Sequence, residues 1–258
     1  MQILSNLQTL YGAIVFMVLG LILMPLFWFF SINDKYHPAV YRLNSFWAKS
    51  FFFLTGITYK VSYEETLDKN QAYVFCPNHF SFIDIPTIAL GNVPVVFMGK
   101  QSLSKVPILG YIFKRSHIIV DRTRGRSRAE ALIEAMKLLE RGISVVIFPE
   151  GGIASPEPPA LANFKDGAFR AAIEKQIPIV PVSIPYNWII LPDSKSLSFS
   201  PMDALVQFHK PIETRGMDLS NIPALKAMTY NTIDSALKNY DYADRQRDFA
   251  ENCAPRQA

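Results

Sequence analysis

One short segment, Asn78-His79-Phe80-Ser81-Phe82-Ile83-Asp84, sets one of the chain's four histidines five residues before a carboxylate, directly after an apolar run. A neutral imidazole can take a proton near pH 7, and a nearby carboxylate can fix its tautomer and stabilise the imidazolium that forms. That makes two parts of a triad. The third is missing, because the chain has no G-x-S-x-G elbow and no cysteine in a recognisable nucleophile signature. A base without its own nucleophile points to a hydroxyl carried by the substrate. The plainer reading makes His79 and Asp84 turn residues beside a buried strand.

Such a pair needs a scaffold. Residues 73–76 read as a buried strand ended by Pro77-Asn78, and 95–98, 117–120, 145–148 and 179–184 as further strands. After His79 a helix with Ser81 or Asp84 near its cap is expected, and Pro86 fits the second placement better. Ser127-Arg128-Ala129-Glu130 has the pattern of a capping box, with Leu132, Ile133, Met136 and Leu139 at helical spacing and Gly142 closing the helix. A helix over 167–175 and one capped by Ser220, carrying Leu225, Met228, Ile233 and Leu237, complete the pattern. Strands alternating with helices predict an α/β fold, a mixed sheet covered by helices.

Hydrophobic residues make up 50% of 258, and the mean hydropathy of +0.14 is high for a soluble enzyme. The excess gathers at the N-terminus. No charge precedes Asp34, and Tyr11 to Ile32 is an apolar run long enough to cross the roughly 30 Å hydrocarbon core. It lacks the basic start and small-residue cleavage site of a signal peptide, so a retained, membrane-embedded helical segment is expected. Pro25 allows a helix that dips in and returns. The patch from Ser45 to Leu54, aromatic with Lys49, suits the bilayer interface. Lys35, Arg42, Lys49 and Lys60 follow the first run; if it spans, they put the main domain on the cytoplasmic face. The expected organisation is an anchor over 1–62, a catalytic domain over 63–240 and a polar tail over 241–258.

Cys76 in a core strand and Cys253 in the tail fit a reducing compartment without a structural disulfide. No metal-ligand spacing appears. The formal charge of +4 is unevenly placed: Lys114, Arg115, Arg122, Arg124, Arg126 and Arg128 crowd one stretch. Beside a membrane anchor such a patch suits lipid headgroups or phosphates rather than nucleic acid.

Ligands of α/β sheets gather at the carboxyl ends of strands. Asn78-His79, Asp121-Arg122 and Pro149-Glu150-Gly151-Gly152 all sit at such ends. Arg122 offers a fork of donors for phosphate oxygens, Gly151 and Gly152 let backbone amides approach an anion, and Glu150 could bind a hydroxyl or hold the loop. Together these residues resemble the glycerolipid acyltransferase family over about residues 73–185. The resemblance lies in four blocks in order: N-H-x4-D at Asn78 to Asp84, Gly110 through Arg122, F-P-E-G at Phe148 to Gly151, and Ile179-Val180-Pro181-Val182. Lys100, with Pro107 and Gly110, sits where the family has K…P…G, and Lys105 lies nearby. The chain departs from the family after Gly151: Gly152-Ile153-Ala154-Ser155 replaces a Thr-Arg-Ser continuation, so a loop cation is absent. Lys100, Lys105, Arg122 or the arginines after it are candidates to compensate.

The resemblance implies that His79 takes the proton of a lysolipid hydroxyl, such as that of 1-acylglycerol-3-phosphate, as it attacks an acyl thioester of coenzyme A or acyl carrier protein. Asp84 orients the imidazole, and Asn78 or local amides serve the oxyanion. No metal or cofactor is implied. The alternatives are a different lysolipid acceptor, a lipid hydrolase in which His79 activates water, and a membrane-anchored lipid-binding protein without catalysis.

Overall fold

The computed structural model describes residues 2–33, 36–106, 109–155, 157–193, 199 and 202–242. Lys35, Pro107, Cys253 and most of the expected tail lie outside these residues.

Seven strands form one mixed sheet in the order β1-β7-β6-β2-β5-β3-β4. They are β1 (Tyr59–Tyr63), β2 (Val74–Pro77), β3 (Val95–Lys100), β4 (Ile118–Val120), β5 (Ser144–Val146), β6 (Ile179–Ser183) and β7 (Ala204–Phe208). All neighbours run parallel except β6 and β7, which pair antiparallel through Val182–Phe208 and Ser183–Gln207. β1 straddles the division expected between residues 62 and 63.

The central strands are continuous apolar runs because both faces are buried, and successive side chains serve opposite faces. Tyr73, Phe75, Phe97, Val146 and Val180 enter one core cluster, together with Phe52 and Ile88. Val74, Cys76, Val96, Val145 and Ile179 enter the other, beneath α5 (Gly125–Glu140), α6 (Gly167–Lys175) and α8 (Ile222–Lys238). Fully burying rings such as Phe52, Phe75 and Phe169 stabilises the fold by roughly 1.5–3 kcal/mol each.

Two expected caps are elsewhere. α5 begins at Gly125, and the Ser127 hydroxyl accepts the Asp121 N–H instead of capping the helix. Ahead of α8, Asp218 caps the 3₁₀ turn Leu219–Asn221, its carboxylate accepting the Ser220 N–H while Asn221 reaches back to the Asp218 N–H; α8 itself starts after Asn221 without a side-chain cap. The helix after His79, α3 (Asp84–Ile88), starts with Asp84 as its first residue, and Ile83 precedes it without a side-chain cap.

At the N-terminus α1 (Gln2–Phe30) runs through Pro25, and α2 (His37–Thr55) follows. Their contacts step from Phe30–Tyr36 through Phe16–Trp47 to Tyr11 Oη–Leu54 O, the pairing of an antiparallel hairpin. The expected interfacial patch divides: Phe51 and Phe52 are buried in the sheet's core, whereas Phe53 is 83% exposed. Leu7–Phe30 is long and apolar enough to cross a membrane, and Leu10, Ile14, Leu21, Ile22 and Phe29 are exposed along it.

Candidate active site

The chain turns sharply at the carboxyl end of β2. The Asn78 side chain spans to the end of β6, donating from Nδ2 to Ile184 O at 3.0 Å and accepting the Ile184 N–H on Oδ1 at 2.7 Å. Its carbonyl and one of its two N–H groups are engaged, and the side chain is fully buried. Asn78 is therefore a clamp between strands.

His79 follows. Its Nδ1 lies 2.9 Å from Asp84 Oδ2. The carboxylate also accepts the N–H groups of Phe80 and Ser81 at 2.9 Å, and Asn187 Nδ2 donates to Oδ1 at 2.9 Å. Four donors thus converge on one buried carboxylate at the start of α3. With the carboxylate accepting at Nδ1, the His79 proton sits there and Nε2 is left as the acceptor. The imidazole stacks on Phe148 with centroids 3.9 Å apart, and only 8% of its side chain is exposed.

Glu150, 2% exposed, braces this turn from β5. Oε1 accepts the His79 N–H at 2.8 Å and Oε2 the Ala162 N–H at 2.9 Å. Burial pushes its carboxyl up to about 7, with the nearby Asp84 adding to the rise, against the pull of the two N–H donors. Of its two expected roles, these contacts are those of a residue that holds the loop.

Beyond Phe148 lies a cavity of about 300 Å³, lined by Arg122, Arg128, Phe148, Gly151, Lys165 and Gly167 among others. Arg122 leaves the end of β4, and burial pulls its guanidinium below the ordinary value. Gly151 has φ +80°, a left-handed conformation that glycine adopts without penalty. A methyl group on Gly152 would stand 2.7 Å from Arg122 Nη1, so the guanidinium occupies the space that a side chain there would take. Lys100 and Lys105 are exposed and do not line this cavity. On the other side of the His79 loop, Phe82, Ile83, Ile85 and Pro86 border an apolar cavity of about 270 Å³ roofed by Thr9, Gly12, Ala13 and Phe16 of α1.

The structure thus brings His79, Asp84, Glu150, Arg122, Gly151 and Gly152 to neighbouring strand ends. It adds Asn187, Phe148 and Lys165, to which the sequence reading gave no role. Phe148 stood inside the F-P-E-G block, whereas Asn187 carried no local signal.

Known proteins are similar to this chain at the level of family and fold. A family profile described as Acyltransferase matches residues 58–185. An uncharacterized acyltransferase of Schizosaccharomyces pombe is 31% identical over 206 residues, covering 75% of this chain and 72% of that protein. A 1-acyl-sn-glycerol-3-phosphate acyltransferase of Chlamydomonas reinhardtii is 29% identical over 184 residues, covering 69% of this chain and 54% of its own length. The chloroplastic BAT2 enzyme of the same description from Brassica napus is 28% identical over 210 residues, with 81% and 60% covered. The chain therefore spans little more than half of these two relatives. The crystal structure of the 1-acyl-sn-glycerophosphate acyltransferase PlsC from Thermotoga maritima superposes with a TM-score of 0.75, covering 93% of this chain and 100% of that one. At 21% identity that likeness is one of fold. The chain belongs to the acyltransferase family.

Proposed function

We propose that this protein transfers a fatty acyl group from a thioester of coenzyme A or acyl carrier protein to the free hydroxyl of 1-acylglycerol-3-phosphate, giving phosphatidic acid. The observation that carries the reading is the 2.9 Å contact of His79 Nδ1 with an Asp84 carboxylate held by three further donors. With its proton kept on Nδ1, His79 accepts the hydroxyl proton on Nε2 as that oxygen bonds to the thioester carbonyl carbon. Asp84 stabilises the imidazolium. When the tetrahedral intermediate collapses, the carbon–sulfur bond breaks and the imidazolium returns the proton to the leaving thiolate. General-base action of this kind is worth roughly 10²–10⁴-fold, and the rest comes from positioning.

Arg122 and the amides around Gly151 and Gly152 hold the acceptor's phosphate in the cavity beside Phe148. The apolar cavity under α1, bordered by the catalytic loop, suits a hydrocarbon tail. An exposed apolar face on α1 supports a helical hairpin lying in lipid, from which a membrane-resident acceptor reaches His79 without crossing water. Arg42, Lys49 and Lys60 support the cytoplasmic side. In this organisation α1 and α2 are the anchor and the sheet from β1 onward is the catalytic unit.

Purified protein offered 1-acylglycerol-3-phosphate, other lysolipids and both thioester classes tests the reading. Phosphatidic acid with stoichiometric free thiol is expected. Fatty acid release independent of acceptor would mean hydrolysis instead.

A further inference from the structure

The loop after Glu150 carries no cation of its own, yet a second cation reaches it from outside. Lys165 stands just ahead of α6. Its N–H donates to Pro149 O at 2.8 Å, and its ammonium lies so close over Gly151 that a methyl group there would collide with Nζ. Arg122 approaches the next glycine in the same way, from β4. Both line the cavity beside Phe148, and among the described residues neither head group has an ion-pair partner.

The Lys165 side chain is exposed, yet its ammonium stands at the glycine next to the one that the partly desolvated Arg122 guanidinium approaches. Like charges brought together repel unless an anion neutralises both. The first turn of α6 (Gly167, Ala168) lines the same cavity and adds its positive dipole end. A group carrying nearly two negative charges fits this surplus better than a carboxylate or a phosphodiester with one. A phosphate monoester, with its second pKa near 6, is such a group.

We propose that Lys165 is a second ligand of the acceptor's phosphate, paired with Arg122 across Gly151-Gly152 and replacing the cation missing from the loop. This rests on the reading of the acceptor as a phosphorylated lysolipid. Glu150 ties the subsite to the base: one carboxylate oxygen holds the His79 N–H and the other the Ala162 N–H, just before Lys165. The separation of proton acceptor and phosphate ligand is thereby fixed, and a hydroxyl at the matching distance from the phosphate is selected.

The test uses the full chain in lipid vesicles, with Lys165→Gln and Lys165→Arg. Acceptor and donor KM are measured with 1-acylglycerol-3-phosphate and with uncharged monoacylglycerol. Losing one charge-assisted contact in Lys165→Gln should raise the phosphorylated acceptor's KM about ten- to a hundred-fold. The donor's KM should stay within about two-fold, the preference for phosphorylated over neutral acceptor should shrink by a similar factor, and Lys165→Arg should recover most of both. An unchanged acceptor KM in Lys165→Gln of wild-type Tm overturns the proposal. A rise in the donor KM instead also overturns it, assigning the cations to phosphates of coenzyme A. If the wild-type protein transfers to no lysolipid, the functional reading fails by itself. Calorimetric binding of glycerol 3-phosphate then decides Lys165: loss of binding in Lys165→Gln supports the subsite, and equal binding refutes it.

Discussion

The chemistry rests on one side-chain contact whose direction matters more than its existence. An Asp84→Asn variant keeps the shape of the pair but can turn an amide N–H toward Nδ1, which moves the imidazole proton to the nitrogen that must accept. Transfer should fall by on the order of 10³–10⁴-fold with acceptor KM little changed; a loss of ten-fold or less would show that tautomer control is unimportant. Arg122→Ala should raise the acceptor's KM more than the donor's, and an unchanged acceptor KM would make the arginine structural. Glu150 gives a signature in pH. Its carboxyl is raised from 4.5 to about 7, so within that window the folded protein holds a proton that the unfolded chain releases. Its contribution to stability is full below the lower value and is lost as pH rises through the higher one, by at most about 3 kcal/mol. Thermal melts at pH 5 and pH 8 should show wild type losing stability relative to Glu150→Gln as pH rises, and the opposite trend would contradict the buried-carboxylate account. His79 and Asp84 were legible in the sequence because their contact closes within one loop. Asn187 was not, since it meets Asp84 only after β2 and β6 come together, and Lys165 reaches Pro149 and Gly151 only through the closure of the long loop between β5 and α6. The clamp role of Asn78 was not legible either, because it depends on Ile184, which only the fold brings to its amide.

Among the elements, strands buried on both faces announced themselves as apolar runs, and those four positions are where the structure has β2, β3, β4 and β6. β5 is shorter than its run, ending at Val146 before the chain turns into the Phe148-Pro149-Glu150 loop. β1 and β7 escaped notice because Tyr59-Lys60-Val61-Ser62-Tyr63 and Ala204-Leu205-Val206-Gln207-Phe208 mix polar residues into short segments near one edge, and the rule that apolar runs mark strands passes over them. The capping-box pattern at Ser127 misled for a different reason: its hydroxyl binds the Asp121 N–H and shapes the turn that delivers Arg122. The clamp between β2 and β6 carries its own prediction. Truncating Asn78→Ala leaves the Ile184 N–H and C=O buried without partners and should cost about 1–3 kcal/mol in denaturant unfolding. If activity in the folded fraction instead disappeared with stability intact, Asn78 would act on the substrate rather than as a clamp.

At the scale of the whole molecule, the sheet presents its strand ends to two cavities of opposite character, one cationic and one apolar, with the His79 loop between them. The helical hairpin roofs the apolar cavity and exposes its far side. The sequence disclosed the apolar run but not its pairing with α2, since that depends on aromatic contacts such as Phe16 with Trp47. A pair of charges placed on the exposed face, Leu21→Lys with Ile22→Lys, should abolish co-flotation with phospholipid vesicles while the sheet domain keeps its melting behaviour. Undiminished flotation would remove the hairpin from the membrane account. The central claim, that His79 is the base activating a lipid hydroxyl, is tested most directly by acyl transfer in purified His79→Ala. Thioester consumption coupled to phosphatidic acid formation should fall by at least roughly 10²–10⁴-fold, with folding and vesicle binding retained; transfer near the wild-type rate in that variant would contradict it.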